Sequence, residues 1–345
     1  MKIGLAGYQG SGKSTLFEWL TGIASDPSKS HEGQSAQAMV NDPRIAQLSE
    51  IFKPKKISVA SIELTDTPGL SRSHEGSAAR LATIREADAL ALVVDAFSPN
   101  ADPLADVASF AEDLTLADLE ILTGRIERAK SSTKKSLSKV DLEKVNHEIE
   151  TLEWIATRLE AGDPVREDEM TDSQLSVTKS FRLFSEKPRI VIVNTTDDEE
   201  NPERFTKEAT PERPYLTVGA GIELELAGME PEERDEFVKE MGIVRTDRDT
   251  VLEALLKISG QKLFFTAGEK EVRSWLIRVG GTALEAAAGI HTDLARGFIR
   301  AEVMTVADLV RLGSEREVKA AKLVRQEPKD YVVGDDDTLF IKFNV

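Results

Sequence analysis

Gly7, Gly12, Lys13 and Ser14 stand in GYQGSGKS at the spacing G-x-x-x-x-G-K-[ST], the pattern of a phosphate-binding loop. Glycines at 7, 10 and 12 let backbone N–H groups point inward at phosphate oxygens, and a helix starting at Lys13 adds its positive end. Lys13 would reach the β- and γ-phosphates and serve catalysis, while Ser14 would ligate Mg²⁺. Gln9, Gly10, Ser11 and Thr15 complete the predicted nucleotide-binding stretch. The loop alone does not separate a kinase, which moves a phosphoryl group, from a switch, which hydrolyses one.

Two further constellations bear on that choice. DTPGL, Asp66 to Leu70, follows the alternating run ISVASIELTD. Asp66 would hold Mg²⁺ through water, and the Gly69 N–H would approach the γ-phosphate. At this distance behind a phosphate loop the pentapeptide marks a switch-type NTPase. A small-molecule kinase would also need a mobile, arginine-bearing lid, and no segment reads as one. IVNTTD places Asn194 and Asp197 at the spacing of the guanine-reading N-K-x-D motif, with Thr195 where that motif has lysine. The Asp197 carboxylate could accept both N–H donors of guanine's Watson–Crick edge; the other reading is a strand end followed by an acidic loop.

The elements that must position these residues are legible as runs. Residues 2–6, 57–66, 89–97, 189–194 and 214–219 read as strands, and continuous apolar runs such as ALALVVDAF suit buried parallel ones. Helical stretches fall between them, which predicts an α/β domain with a parallel sheet. From about Leu114 to Phe181 the pattern changes. Leu119, Leu122, Ile126 and Ala129, then Leu142, Val145, Ile149, Leu152 and Leu159, follow a 3-4 spacing on either side of a Ser/Lys loop. That predicts an antiparallel coiled-coil insertion, or else two amphipathic helices packed on the sheet. Past Gly260, strand-like runs around TALEAAAGIHTDLARGF predict a small mixed α+β module. The expected segments are 1–113 and 182–260 for the nucleotide domain, 114–181 for the insertion and 261–345 for the C-terminal module.

Charge and composition set limits. With 345 residues, 40% of them apolar, the chain can bury a substantial core. It has no cysteine, which excludes disulfides, thiolate metal sites and a Cys nucleophile. No apolar run of membrane-spanning length and no signal-peptide pattern occurs, so the expectation is a cytoplasmic protein without a membrane partner. The net charge of −17 opposes wholesale coating of nucleic acid, and no DNA partner is expected. Residues 261–345 are neutral, with thirteen basic and thirteen acidic residues. Between the predicted helices, Arg128, Lys130, Lys134, Lys135 and Lys139 form a basic tip without an acid. It suits RNA phosphates, or it is a solvated loop.

The order of phosphate loop, DTPGL, helical hairpin, N-x-x-D and C-terminal module resembles the YchF family of Obg-related P-loop NTPases. FTAGEKEVRSW (265–275), AAGIHTDLARGFIRAEV (287–303) and KDYVVGDDDTLFIKFNV (329–345) resemble that family's TGS domain, a β-grasp fold. NDPRIAQLSEIFKPKK (41–56) and PEERDEFVKEMG (231–242) are also family-like, so the resemblance spans nearly the whole chain. It implies a Mg²⁺-dependent ATPase or GTPase, slow without a partner, that meets ribosomes or rRNA through the hairpin and TGS domain. It further implies nucleotide contacts from Ala220.

Several positions depart from the family pattern. Its loop usually reads G-L-P-N-V-G-K-S, and Tyr8, Gln9, Gly10 and Ser11 replace the middle four. Gly10 takes the place of an Asn that helps hold K⁺ in related NTPases. Ser30 is the residue offered where switch I carries a metal-binding threonine. Leu70 replaces the water-orienting glutamine of many GTPases, as is usual in the family, and the stretch 97–110 lacks the histidine thought to act instead. His74 then reads either as a relocated water-positioning group or as an exposed polar residue. The family tends to N-x-x-E and ATP, whereas Asp197 favours guanine, so ATP and GTP both stand. The rival expectations are a nucleotide-holding scaffold with little hydrolysis and, behind it, a P-loop kinase.

Overall fold

Strand β1 (Lys2–Ala6) is short and buried, and its parallel neighbour β5 (Ala89–Ala96) buries its first six residues in succession. Both belong, with β2 (Gln34–Met39), β4 (Ser61–Asp66), β6 (Arg189–Thr195) and β7 (Tyr215–Val218), to a six-stranded sheet. Its order is β2-β4-β1-β5-β6-β7, with β1, β5, β6 and β7 parallel to one another. Strands covered on both faces can be apolar at every position, which is why these runs stand out in the sequence. A computed structural model describes residues 1–29, 31–73, 77–133, 138–163, 165, 169–197, 199, 201–211 and 213–344.

The chain divides into two compact units, residues 1–36 with 64–246, and residues 37–63 with 247–345. In the first, α1 (Lys13–Thr21) buries Leu16, Phe17 and Leu20 and packs on α7 (Ala220–Ala227). A core of Leu90, Leu92, Val94, Phe110, Leu114 and Val191 joins the sheet to α4 (Pro103–Ser132). The helix starts well ahead of the heptad frame, because Pro103 and the Asp102 cap set its first turn and Val107 and Phe110 already bury. Beyond the sheet α4 packs against α5 (Lys139–Glu160), where Leu122, Leu152, Ile155 and Leu159 share a core with Leu183. Arg125 pairs with Glu148 at 2.5 Å.

Two cations of the predicted basic tip have partners within the first unit. Lys130 is held by Glu153 at 2.6 Å, an acid twenty-three positions away that the local charge run conceals. Arg128 donates to its own helix at Gly124 O, at 2.9 Å. Lys134 and Lys135 lie outside the described residues.

In the second unit a sheet runs β11-β10-β12-β8-β9-β3. The strands are β3 (Lys56–Ser58), β8 (Gln261–Ala267), β9 (Glu271–Arg278), β10 (Phe298–Thr305), β11 (Arg325–Glu327) and β12 (Asp337–Phe343). Counted from β8, the order 2-1-5-3-4 is that of a β-grasp: β8 and β9 are antiparallel, β12 lies parallel to β8, and β10 is antiparallel to β12. Helix α10 (Ala283–Ile290) closes it through Ala283, Ala286 and Ala287, whose small side chains allow close approach.

The predicted strand 57–66 is in fact two. Its first part pairs with β9 in this sheet, Ala60 N–H turns to Ser274 Oγ at 2.8 Å, and the second part joins the other sheet. Residues 37–63 group here through specific contacts. Arg44, on the helix Pro43–Phe52, lies 4.7 Å over the Phe265 ring, and Ser58 donates to Glu271 at 2.6 Å.

One buried carboxylate knits the first unit. Asp118, on α4 and fully buried, accepts from Arg85 Nη1 at 2.7 Å and from the N–H groups of Phe184 and Ser185 at 3.0 and 2.8 Å. The Arg85 guanidinium also lies 3.9 Å over the Phe184 ring. Asp118→Ala leaves a mostly buried guanidinium and two N–H groups without their acceptor, so it should cost about 3–5 kcal/mol in urea unfolding. Asp118→Asn, which keeps an acceptor oxygen, should cost less. Equal stability of Asp118→Ala and wild type would show that the segment 183–186 is held elsewhere.

Candidate functional site

The phosphate loop fills the turn from β1 to α1, at the carboxyl edge of the parallel strands where open α/β sheets bind ligands. Gly7, Gly10 and Gly12 all take positive φ, 149°, 84° and 88°. At Gly12 space adds to conformation: a Cβ would lie 2.1 Å from Asn194 Nδ2, so no other residue fits without moving the amide. That amide donates to Ser11 O at 3.1 Å, and its Oδ1 accepts from Ala220 N–H at 3.0 Å. Asn194 therefore ties the loop to the start of α7. Ser11 is buried, and among the described residues its Oγ has no hydrogen-bond partner.

The stretch 66–70 is stitched to the loop by backbone bonds. Gln9 N–H donates to Leu70 O at 2.9 Å, and Leu70 N–H donates to Gly7 O at 3.0 Å. Gly69 is pressed against the loop, since a Cβ there would lie 2.8 Å from Lys13 Nζ and 3.0 Å from Gln9 N. Lys13 is buried and donates to Tyr8 O at 2.7 Å. Burial lowers its pKa to about 8, against the opposing pull of Asp66. Ser14 Oγ donates to Asp66 Oδ2 at 2.6 Å, and Ser25 Oγ lies 3.5 Å from the same oxygen. Burial raises the Asp66 pKa, opposed by Ser14, Lys13 and Ser25.

Gln9, Lys13, Ser14, Ser25, Asp66 and Gly69 line a cavity of about 380 Å³ together with Asp26, Lys29 and Gln34. Its hydroxyl and carboxylate oxygens fit Mg²⁺, which takes one or two protein oxygens and completes its shell with water and phosphate. A second cavity of about 390 Å³ is lined by Gly12, Thr15, Phe97, Asn194, Asp197 and Ile222. Asp197 is exposed at its edge.

The fold thus brings together Gly7, Gln9, Gly10, Ser11, Gly12, Lys13, Ser14, Thr15, Asp66, Gly69, Asn194, Asp197 and Ala220. Ser30 and His74 lie outside the described residues. Ser25, Gln34 and Phe97 were missed by sequence reasoning. Phe97 had a usable signal, an aromatic just past the carboxyl end of an apolar strand. Ser25 and Gln34 had none, because they reach the cavity only through loop geometry.

The Lys13 shift has a measurable sign. Folding with this ammonium buried carries a cost at pH values below about 8, relieved as pH rises from about 8 toward the ordinary 10.5. A bound triphosphate favours the charged form, so binding above pH 8 must take up a proton. Affinity for Mg²⁺-ATP should fall about tenfold between pH 7 and pH 9, and Lys13→Ala should bind weakly without that slope. A flat calorimetric titration series for wild type would contradict the assignment. An adenine nucleotide avoids interference from guanine's own N1–H.

Family models match two stretches of the chain. Residues 2–123 match the model described as 50S ribosome-binding GTPase, and residues 262–344 match YchF-GTPase C, described as a protein of unknown function (DUF933). Ribosome-binding ATPase YchF of Haemophilus influenzae is 36% identical, the match covering 100% of this chain and 99% of that protein. Obg-like ATPase 1 of Oryza sativa subsp. japonica is 33% identical, over 100% of this chain and 92% of that one. The structure of the Schizosaccharomyces pombe YchF GTPase superposes with a TM-score of 0.84 at 26% identity, covering 99% of this chain and 97% of the other. Full-length similarity joined to this phosphate site means that the chain belongs to the YchF family.

Proposed function

We propose that this protein is a Mg²⁺-dependent nucleoside triphosphatase that hydrolyses ATP or GTP and works at the ribosome, in the cytoplasm, according to its nucleotide state. The observation that carries the reading is the direct bonding of the phosphate loop to residues 66–70 through Gly7, Gln9 and Leu70. A γ-phosphate seated in the loop would meet the Gly69 N–H, and its loss would be felt along the segment that follows.

The loop N–H groups and Lys13 bind and orient the phosphates, and Lys13 exchanges its bond to Tyr8 O for a phosphate oxygen. Ser14 and Asp66 would hold Mg²⁺, which neutralises phosphate charge and fixes the phosphate geometry. The purine sits in the cavity beside Phe97, with Asp197 within reach of its edge. Asn194 acts through the backbone, keeping the phosphate and base cavities in register. The relatives' names, ribosome-binding ATPase and GTPase, support both the reaction and the partner. The α4–α5 helices, with Arg128 and Lys139 near their junction, and the β-grasp are the surfaces offered to the ribosome.

The test pairs hydrolysis with sedimentation. Wild type should turn over ATP or GTP with Mg²⁺, Asp66→Ala should lose at least about a hundredfold in kcat, and ribosome cosedimentation should differ between triphosphate and diphosphate. Equal cosedimentation with triphosphate, diphosphate and no nucleotide would remove the switching part. Absence of micromolar binding of either nucleotide would remove the whole reading.

A further inference from the structure

Two loop positions that depart from the family pattern, Tyr8 and Gln9, are engaged by arginines of the segment that follows DTPGL. Arg72 lies 4.8 Å over the Tyr8 ring, and the Tyr8 hydroxyl donates to Asp113 at 2.8 Å. Arg80, on the helix Ser77–Arg85, donates through Nη1 to Gly69 O at 2.9 Å. With the Gln9 amide turned so that donor meets acceptor, its oxygen accepts from Arg80 Nη1 at 2.9 Å and Nη2 at 3.2 Å.

The partners of these arginines differ in kind. Arg72 is committed to Asp106, at 2.7 Å from Nη2, and Arg85 to Asp118. Among the described residues Arg80 meets a carbonyl and an amide, both neutral. Such acceptors hold a guanidinium more weakly than a phosphate oxygen does. Gly69, whose carbonyl Arg80 holds, is also the residue at which a Cβ would meet Lys13 Nζ, at 2.8 Å. A second cation therefore stands one residue from the phosphate cradle, on a site with no glutamine at position 70 and no histidine in 97–110.

We propose that Arg80, steadied by Gln9, supplies from within the chain the cation that stabilises the phosphoryl group during hydrolysis. The inference rests on the triphosphatase reading above. In the step, a water oxygen bonds to the γ-phosphorus as the bond from that phosphorus to the β–γ bridging oxygen breaks. The electron pair leaves with the diphosphate, and the water proton ends on inorganic phosphate. Arg80 transfers no proton; it exchanges its neutral acceptors for oxygens whose charge shifts as the bond breaks.

The test uses full-length wild type, Arg80→Ala, Arg80→Gln and Arg80→Lys with ATP and GTP. For the nucleotide that wild type hydrolyses, Arg80→Ala should lower single-turnover kcat at least about a hundredfold while Kd changes by less than about threefold. Arg80→Gln should match it, and Arg80→Lys should recover part of the rate. Wild type should retain diphosphate with aluminium fluoride on gel filtration, and Arg80→Ala should lose that trapped complex while still binding diphosphate alone. An unchanged rate in Arg80→Ala would overturn the proposal and leave the triphosphatase reading intact. So would parallel losses of rate, affinity and melting temperature in both Arg80→Ala and Arg80→Gln, which would make Arg80 a structural strap. Wild type that binds neither triphosphate would remove the reading beneath it as well.

Discussion

The site depends on one side-chain amide. Asn194 spends its Nδ2 on the phosphate loop and its Oδ1 on the first N–H of α7, so two segments more than two hundred positions apart share a single planar group. A planar amide fixes the direction of both bonds at once, which aspartate, lacking the donor, cannot do. Gly12 is the counterpart of that constraint, since its missing side chain is the space the amide occupies. The motif residue read first as part of base recognition is therefore also a strut of the phosphate cradle.

A second constraint is electrostatic. Lys13 is buried on a backbone carbonyl, with Asp66 as its nearby opposing charge. Asp66 is itself desolvated and bonded to Ser14. Without phosphate, both charges are held at a cost that bound ligand and metal would relieve. Such a site trades stability for readiness, a common pattern where function requires charged groups away from water. The arginine pair on Tyr8 and Gln9 extends that logic, letting unusual loop residues be held by the segment they must respond to.

Legibility in the sequence followed how much each element's physics is local. Strands β1, β5 and β6 were readable because burial on both faces leaves continuous apolar runs, and α4 and α5 because their spacing repeats. Strand β2, QSAQAM, was not readable: it lies at the end of the sheet order and is mostly polar, and only its tertiary pairing makes it a strand. The phosphate loop, Asp66 and Asn194 were visible because their chemistry demands fixed spacing. Arg80 and Ser25 were invisible because no spacing rule connects them to residues 9 and 66. The pairing of Lys130 with Glu153 was hidden for the same reason, being set by how two helices meet.

Within residues 37–63, β3 and the helix Pro43–Phe52 pack against β8 and β9, more than two hundred positions later. During synthesis this segment emerges early and waits while nearly the whole chain is made, on the order of tens of seconds at common elongation rates. The β-grasp compounds the delay, since β12, the strand between β8 and β10, is translated after both of them. Until β12 emerges, the second unit is an open sheet with unpaired edges. Topology thus makes completion of this unit wait on a strand translated after both of its neighbours, and loss of β12 would leave β8 and β10 without the strand that joins them.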